Sequence, residues 1–222
     1  AAQQSTPTPV EPAQVAAADV EMSGPALWKI ADEDTTIYLF GTVHALPEDV
    51  DWNTGTIGDA LQSSDTLVTE IDMTPESLGQ MQGLVMGKGL LPAGTTLRSL
   101  MSDEQKATYE AGIAKLGVPA EALDPLEPWL AAIQMSQLCM QKAGRKAESG
   151  VEAVLEKAVK EGTKRDALET VEFQINVFDE MPREAQLQFL LQSLEDPEGA
   201  VKMLDQLVVE WAEGDISTLA SL

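Results

Sequence analysis

The sequence holds a single histidine, His44, in Gly41-Thr42-Val43-His44, directly after the β-branched and aromatic run Thr36-Ile37-Tyr38-Leu39-Phe40. Such a run reads as a strand, and open α/β sheets place ligands outside the carboxyl ends of their strands. An imidazole at that place is suited to moving a proton or holding a metal ion. Glu70 takes the matching place in the next run of this kind, Thr66-Leu67-Val68-Thr69-Glu70-Ile71. Neighbouring strands lie about 4.8 Å apart, so imidazole and carboxylate can converge on one ion or one water. Two donors from two strand ends make half a site. The plainer alternative is that His44 caps a turn and Glu70 is a solvated strand terminus.

Other carboxylates are candidates to complete the site. Glu152 follows Ser149-Gly150-Val151 at a helix start, where an acid commonly serves only the helix dipole. Glu169 and Glu172 flank a weak third strand, Arg165–Thr170; either one turned into the cleft supplies a general base or an oxygen ligand. The remaining acids read as a solvated face. Met135, Met140 and Met203 fall in helical patterns and read as core filler rather than soft-metal ligands.

Several other chemistries are excluded. Gly83-Leu84-Val85-Met86-Gly87-Lys88-Gly89 is one residue short of a Walker A loop before its Gly-Lys pair and lacks the Ser or Thr after it. Pro92 stands where a dinucleotide fingerprint needs its third glycine, so a plain loop is expected there. There is no G-x-S-x-G elbow. Cys139 is the only cysteine, so neither an intramolecular disulfide nor a cysteine zinc cage can form.

The elements that must position these groups follow from the pattern. Ala26–Ile30 and Thr36–Phe40, separated by the polar turn Asp32–Asp34, read as a hairpin. Ile57, Ala60 and Leu61 mark one face of a short helix before the Thr66 run, and strand, helix, strand reads as a parallel βαβ unit. From Thr74 the period is helical. Ser102-x-x-Gln105 opens a helix toward Gly117 as a capping box, and Pro128 suits the first turn of one running to Gly144. Further helices are expected over 152–162, 183–194 and 198–214. The expected fold class is α/β, a small central sheet with a βαβ unit and a large helical insertion.

Composition narrows the partners. The 222 residues suit one α/β domain rather than two. Lys and Arg number 14 against 37 Asp and Glu, a net charge of −23 that repels phosphate backbones, so nucleic acid is a poor partner. The mean hydropathy is −0.09, and no stretch approaches the ~18 unbroken apolar residues of a membrane span. Residues 1–24 lack aromatic, Lys and Arg side chains and carry Pro7, Pro9 and Pro12, a composition that reads as a disordered lead left after removal of a signal peptide. Export to the periplasm or beyond is the corresponding expectation.

The blocks Ala26-Leu27-Trp28-Lys29-Ile30, Tyr38–Pro47 and Asp65–Glu70 resemble the TraB/GumN family, part of a wider group that includes the TIKI metalloproteases. Gly150-Val151-Glu152 and Leu168-Glu169-Thr170-Val171-Glu172-x-Gln174 are similar to its later blocks, so the likeness runs from Pro25 to the C-terminus. The resemblance implies an EreA/ChaN-like fold over 25–222 and, in the TIKI branch, a divalent-metal protease using a G-x-x-H motif and a glutamate. Gly41, His44 and Glu70 match those positions. One departure stands out: family members carry a second G-x-x-H on a late strand, and this sequence has no second histidine. The corresponding expectation is a C-terminally incomplete domain. Together these readings give a metal-dependent hydrolase of a peptide or small ester, with His44 and Glu70 on Mn²⁺, Co²⁺ or Zn²⁺ and Glu152 or Glu169 as base or further ligand. The alternative is a non-catalytic exported binding or surface-associated protein that keeps the fold.

Overall fold

A computed structural model describes residues 24–221 apart from Asp49 and Thr54; the lead expected over 1–24 lies, but for Gly24, outside the described residues. The hairpin forms as its pattern requires. Strands β1 (Leu27–Ala31) and β2 (Thr36–Phe40) pair antiparallel with Leu27 opposite Phe40. Asp32 closes the turn, its Oδ1 accepting from the amides of Asp34 and Thr35. Alternation puts Leu27 and Phe40 against the core and leaves Trp28, Ile30, Ile37 and Leu39 exposed.

Helix α1 (Gly55–Ser63) buries Ile57, Ala60 and Leu61, and leads into β3 (Thr66–Thr69). β3 pairs not with β2 but with β4 (Lys164–Ala167), parallel, Thr66 opposite Lys164. The expected β2–α1–β3 unit of one central sheet is therefore not formed: the described strands make two ladders of two strands each. The parallel crossover instead runs through α2 (Pro75–Lys88), α3 (Asp103–Lys115), α4 (Pro128–Lys142) and α5 (Val151–Ala158). A strand-helix-strand pattern does not say which strands pair, and a four-residue turn lets β2 close on β1 at the least entropic cost. After β4 come α6 (Val171–Asp179), α7 (Arg183–Glu195), α8 (Pro197–Glu213) and the short α9 (Ile216–Leu219). Among the described residues no helix is long and apolar enough to cross a membrane.

The glycine-rich stretch is helical rather than a loop. Thr74 caps α2, Pro75 begins it, and Met81, Leu84 and Val85 pack on a core of Trp129, Leu130, Val171 and Ile175. That packing outweighs the poor helix propensity of Gly83 and Gly87. Gly89 ends the helix where a Cβ would lie 2.5 Å from Leu130 Cδ2. The capping box at Ser102 and Gln105 opens α3 as its spacing predicts. A second core, built on Tyr109, Ile113, Leu187 and Leu190, joins α3, α4 and α7. Met135 is buried in it, whereas Met203 of α8 faces solvent and is no filler. The third core, with Leu46, Trp52, Val151 and Trp211, underlies the candidate site.

Candidate functional site

The loop after β2 is fastened on two sides. Trp211 Nε1 of α8 donates to the Gly41 carbonyl at 2.9 Å, and the Trp211 ring stands 5.8 Å from Trp52 and 6.0 Å from Phe40. On the other side the Val151 amide donates to the Val43 carbonyl at 3.0 Å, and Leu46 forms an antiparallel bridge with Lys146. Gly150 lies so close that a Cβ there would meet the His44 carbonyl oxygen at 2.1 Å. The start of α5 is thus docked on Thr42, Val43 and His44, which brings Glu152 to the imidazole.

His44 Nδ1 is 2.9 Å from Glu152 Oε1, and the Thr42 hydroxyl donates to the same oxygen. On its far side, His44 Nε2 lies 3.9 Å from Glu70 Oε2. That is beyond a hydrogen bond and within reach of one shared atom between the two groups. Glu70 is held just past β3, where its carbonyl accepts from the Glu169 amide at 2.9 Å. The His44 and Glu70 side chains are 72% and 56% exposed and Glu152 only 22%, so the first two meet solvent while the third works from behind.

The Glu152 hydrogen bond raises the His44 pKa above 6.5 despite burial, with the charges of Glu152 and Glu70 adding to it. Burial pushes the Glu152 carboxyl up, but the bonds from His44 and Thr42 outweigh it and hold it below 4.5. The stability contributed by the raised imidazole is complete below about pH 6.5 and fades as pH rises through the folded value; that of the depressed carboxyl is present above about 4.5 and fades as pH falls. The ion pair therefore acts between those limits. With one histidine in the chain, an NMR titration of the imidazole in metal-free protein is unambiguous: a midpoint above 6.5 is expected, falling toward 6.5 in Glu152→Gln. A wild-type midpoint at or below 6.5 contradicts the pairing.

Glu169 is not brought to this cluster. β4 ends at Ala167 and Thr170 caps α6 by accepting from the Phe173 amide, so the chain turns away before a longer strand can form. The Glu169 carboxylate accepts from Gln174 Nε2 at 3.0 Å, and its part near the site is the backbone bond to Glu70. Glu172 sits in the first turn of α6. Among the described residues no group of three or more His, Cys, Asp or Glu is placed to hold a metal ion.

His44, Glu70 and Glu152 line a cleft of about 630 Å³ between the end of β3 and the outer face of α5, within the size range of small-ligand sites. The same cleft takes in Asp72, Met73, Ala153, Glu156, Lys157 and Arg165, none of which stood out in the sequence. The signals were spacings. Glu152 and Glu156, like Ala153 and Lys157, are four apart on one helix, and Glu70 and Asp72 are two apart in the bend just past β3.

The model of the TraB/PrgY/gumN family matches residues 26–222. No curated protein and no solved structure matches the chain.

Proposed function

The chain belongs to the TraB/PrgY/gumN family, and from that premise and the geometry of the cleft we propose a metal-dependent hydrolase of EreA/ChaN-like fold that acts on a peptide or small ester. The observation that carries the reading is one imidazole addressed from both sides, with Glu152 on Nδ1 and Glu70 across 3.9 Å from Nε2.

The donors fit a particular kind of ion. His44 Nε2 and Glu70 are two facing donors with no third among the described residues, so they suit an ion that keeps most of its positions for water and substrate and do not suit a closed cage. Imidazole with carboxylate admits Mn²⁺, Co²⁺ or Zn²⁺. A bound divalent cation supplies a Lewis acid that polarises the carbonyl and lowers the pKa of a water.

The chain's own residues do the rest. Glu152 accepts the Nδ1 proton of His44 and fixes the tautomer that leaves the Nε2 lone pair facing Glu70. The Thr42 hydroxyl holds the Glu152 oxygen that does this. Because Glu152 is occupied by both partners, and Oε2 of Glu70 is the oxygen that faces His44 Nε2, Oε1 of the exposed Glu70 carboxylate is the one left in this cluster to take the proton of the attacking water.

The test uses the full chain stripped with a chelator and resupplied with each ion. Hydrolysis of peptide or p-nitrophenyl ester substrates is expected only with metal, and to fall at least about 100-fold in His44→Ala. Turnover that survives chelation, or a wild type with none under any ion, overturns the reading. The absence of a third donor among the described residues favours a second reading, a non-catalytic exported binding protein. Saturable ligand binding in the cleft without turnover is its signature.

A further inference from the structure

On the reading just given, we propose that the substrate places an apolar chain in this cleft, and that the cleft without a bound ion prefers a neutral or cationic end on that chain and turns anionic ligands away. Its failure is separable from that of the hydrolase, because it is tested by binding.

The cleft surface beside the His44 cluster is mostly carbon, with Ile71 and Met73 on the wall after β3 and Ala147 and Ala153 on the wall facing it. Water gains little from such walls, and an apolar chain laid on them removes apolar area from solvent on both sides. The small side chains at Ala147 and Ala153 leave the room that a chain would fill. Met73 of the cleft is itself 50% exposed, and Leu168, just past β4, is 77% exposed. Leu168 is tied to the cleft residue Thr69 through its amide. Exposed apolar side chains in and beside an apolar cleft mark a place where something apolar docks.

Charge sets the sign of what accompanies the chain. Arg165 is committed to Glu156, Nε to Oε2 at 2.6 Å, and His44 to Glu152. What remains in the cleft is Glu70 and Asp72 against Lys157, which has no carboxylate partner among the described residues. Before an ion binds, the balance is negative, inside a chain of net charge −23, so an anion enters the metal-free cleft against both the local and the overall field.

The experiment uses the metal-free full chain with chelator present and the neutral dye N-phenyl-1-naphthylamine, whose fluorescence rises in apolar sites. Octylamine and octanol are expected to displace it, with octanoate at least tenfold weaker. From butylamine to octylamine, displacement tightens by up to about fourfold per methylene. Ala153→Trp, which fills the cleft, abolishes displacement with helicity unchanged, whereas dye held on the exposed hairpin face of Trp28 and Leu39 is insensitive to it. Met73→Asp at the half-exposed rim serves the same purpose should Ala153→Trp not fold. Asp72→Lys brings octanoate level with octylamine. Octanoate binding as tightly as octylamine in the wild type, or displacement unchanged in a folded cleft variant, overturns the proposal. Dye displacement without hydrolysis leaves it standing while the enzyme reading falls, and metal-dependent hydrolysis without displacement does the reverse.

Discussion

Trp211→Ala is expected to remove about 3–5 kcal/mol of folding stability, a large share of the ~5–15 kcal/mol typical of a domain. The ring is 6% exposed in the core beneath the site. It meets Trp52 edge to face with an interplanar angle of 69° and also contacts Phe40. Truncation leaves a cavity that the surrounding rings cannot close without moving the hairpin. It also removes the only donor to Gly41 O among the described side chains, freeing the root of the His44 loop. Trp211→Phe separates the two effects: most of the packing is kept and the hydrogen bond is lost, for a cost nearer ~1–2 kcal/mol. Urea denaturation of the three proteins measures this. A loss below about 1 kcal/mol in Trp211→Ala would show that the loop is not anchored from α8.

Gly150→Ala tests the other fastening, with the larger expected effect on chemistry. The backbone at Gly150, φ −61° and ψ 152°, is open to any residue, so alanine introduces no dihedral strain. The obstacle is contact: its Cβ would lie 2.1 Å from the His44 carbonyl oxygen and 2.6 Å from the carbonyl carbon. Either α5 withdraws, carrying Glu152 from His44, or the loop does. Stability is expected to fall by about 1–3 kcal/mol. On the hydrolase proposal, turnover is expected to fall about 100-fold as the imidazole loses its orienting partner, and the His44 midpoint is expected to move back toward 6.5. Gly41→Ala is the contrast. Nothing lies within 4 Å of a Cβ there, so a change within about 0.5 kcal/mol is expected. Equal effects at the two glycines would refute this view of the docking.

Patterns confined to a few adjacent residues are legible in the sequence. The hairpin, the buried face of α1, the capping box at Ser102 and the Pro128 start of α4 each depend on neighbours in the chain. Pairing of β3 was not readable, because its partner lies about a hundred residues on in Lys164-Arg165-Asp166-Ala167, a strand with no apolar pattern. The helix through Gly83 and Gly87 was hidden for a related reason: its support comes from α6 and Trp129, not from its own composition. In the site, the imidazole of His44 and the acid of Glu70 do face each other, but from strands of two separate ladders and not from neighbours in one sheet as the sequence pattern suggests. Glu152 looked like a helix-dipole partner. Its role depends on the close approach of Gly150 to His44, and spacing does not report a contact across more than a hundred residues of chain. Glu169 fell on the wrong side of a turn set by the Thr170 cap.

The most direct test of the central claim is an NMR titration of the sole imidazole with Co²⁺. If His44 and Glu70 share one ion, the ring protons flanking Nε2 take large paramagnetic shifts at one equivalent of saturably bound metal. Glu70→Gln should weaken that binding at least tenfold, with the rest of the spectrum little changed. A wild-type ring that keeps its diamagnetic shifts, or shifts that persist unaltered in Glu70→Gln, would contradict the account.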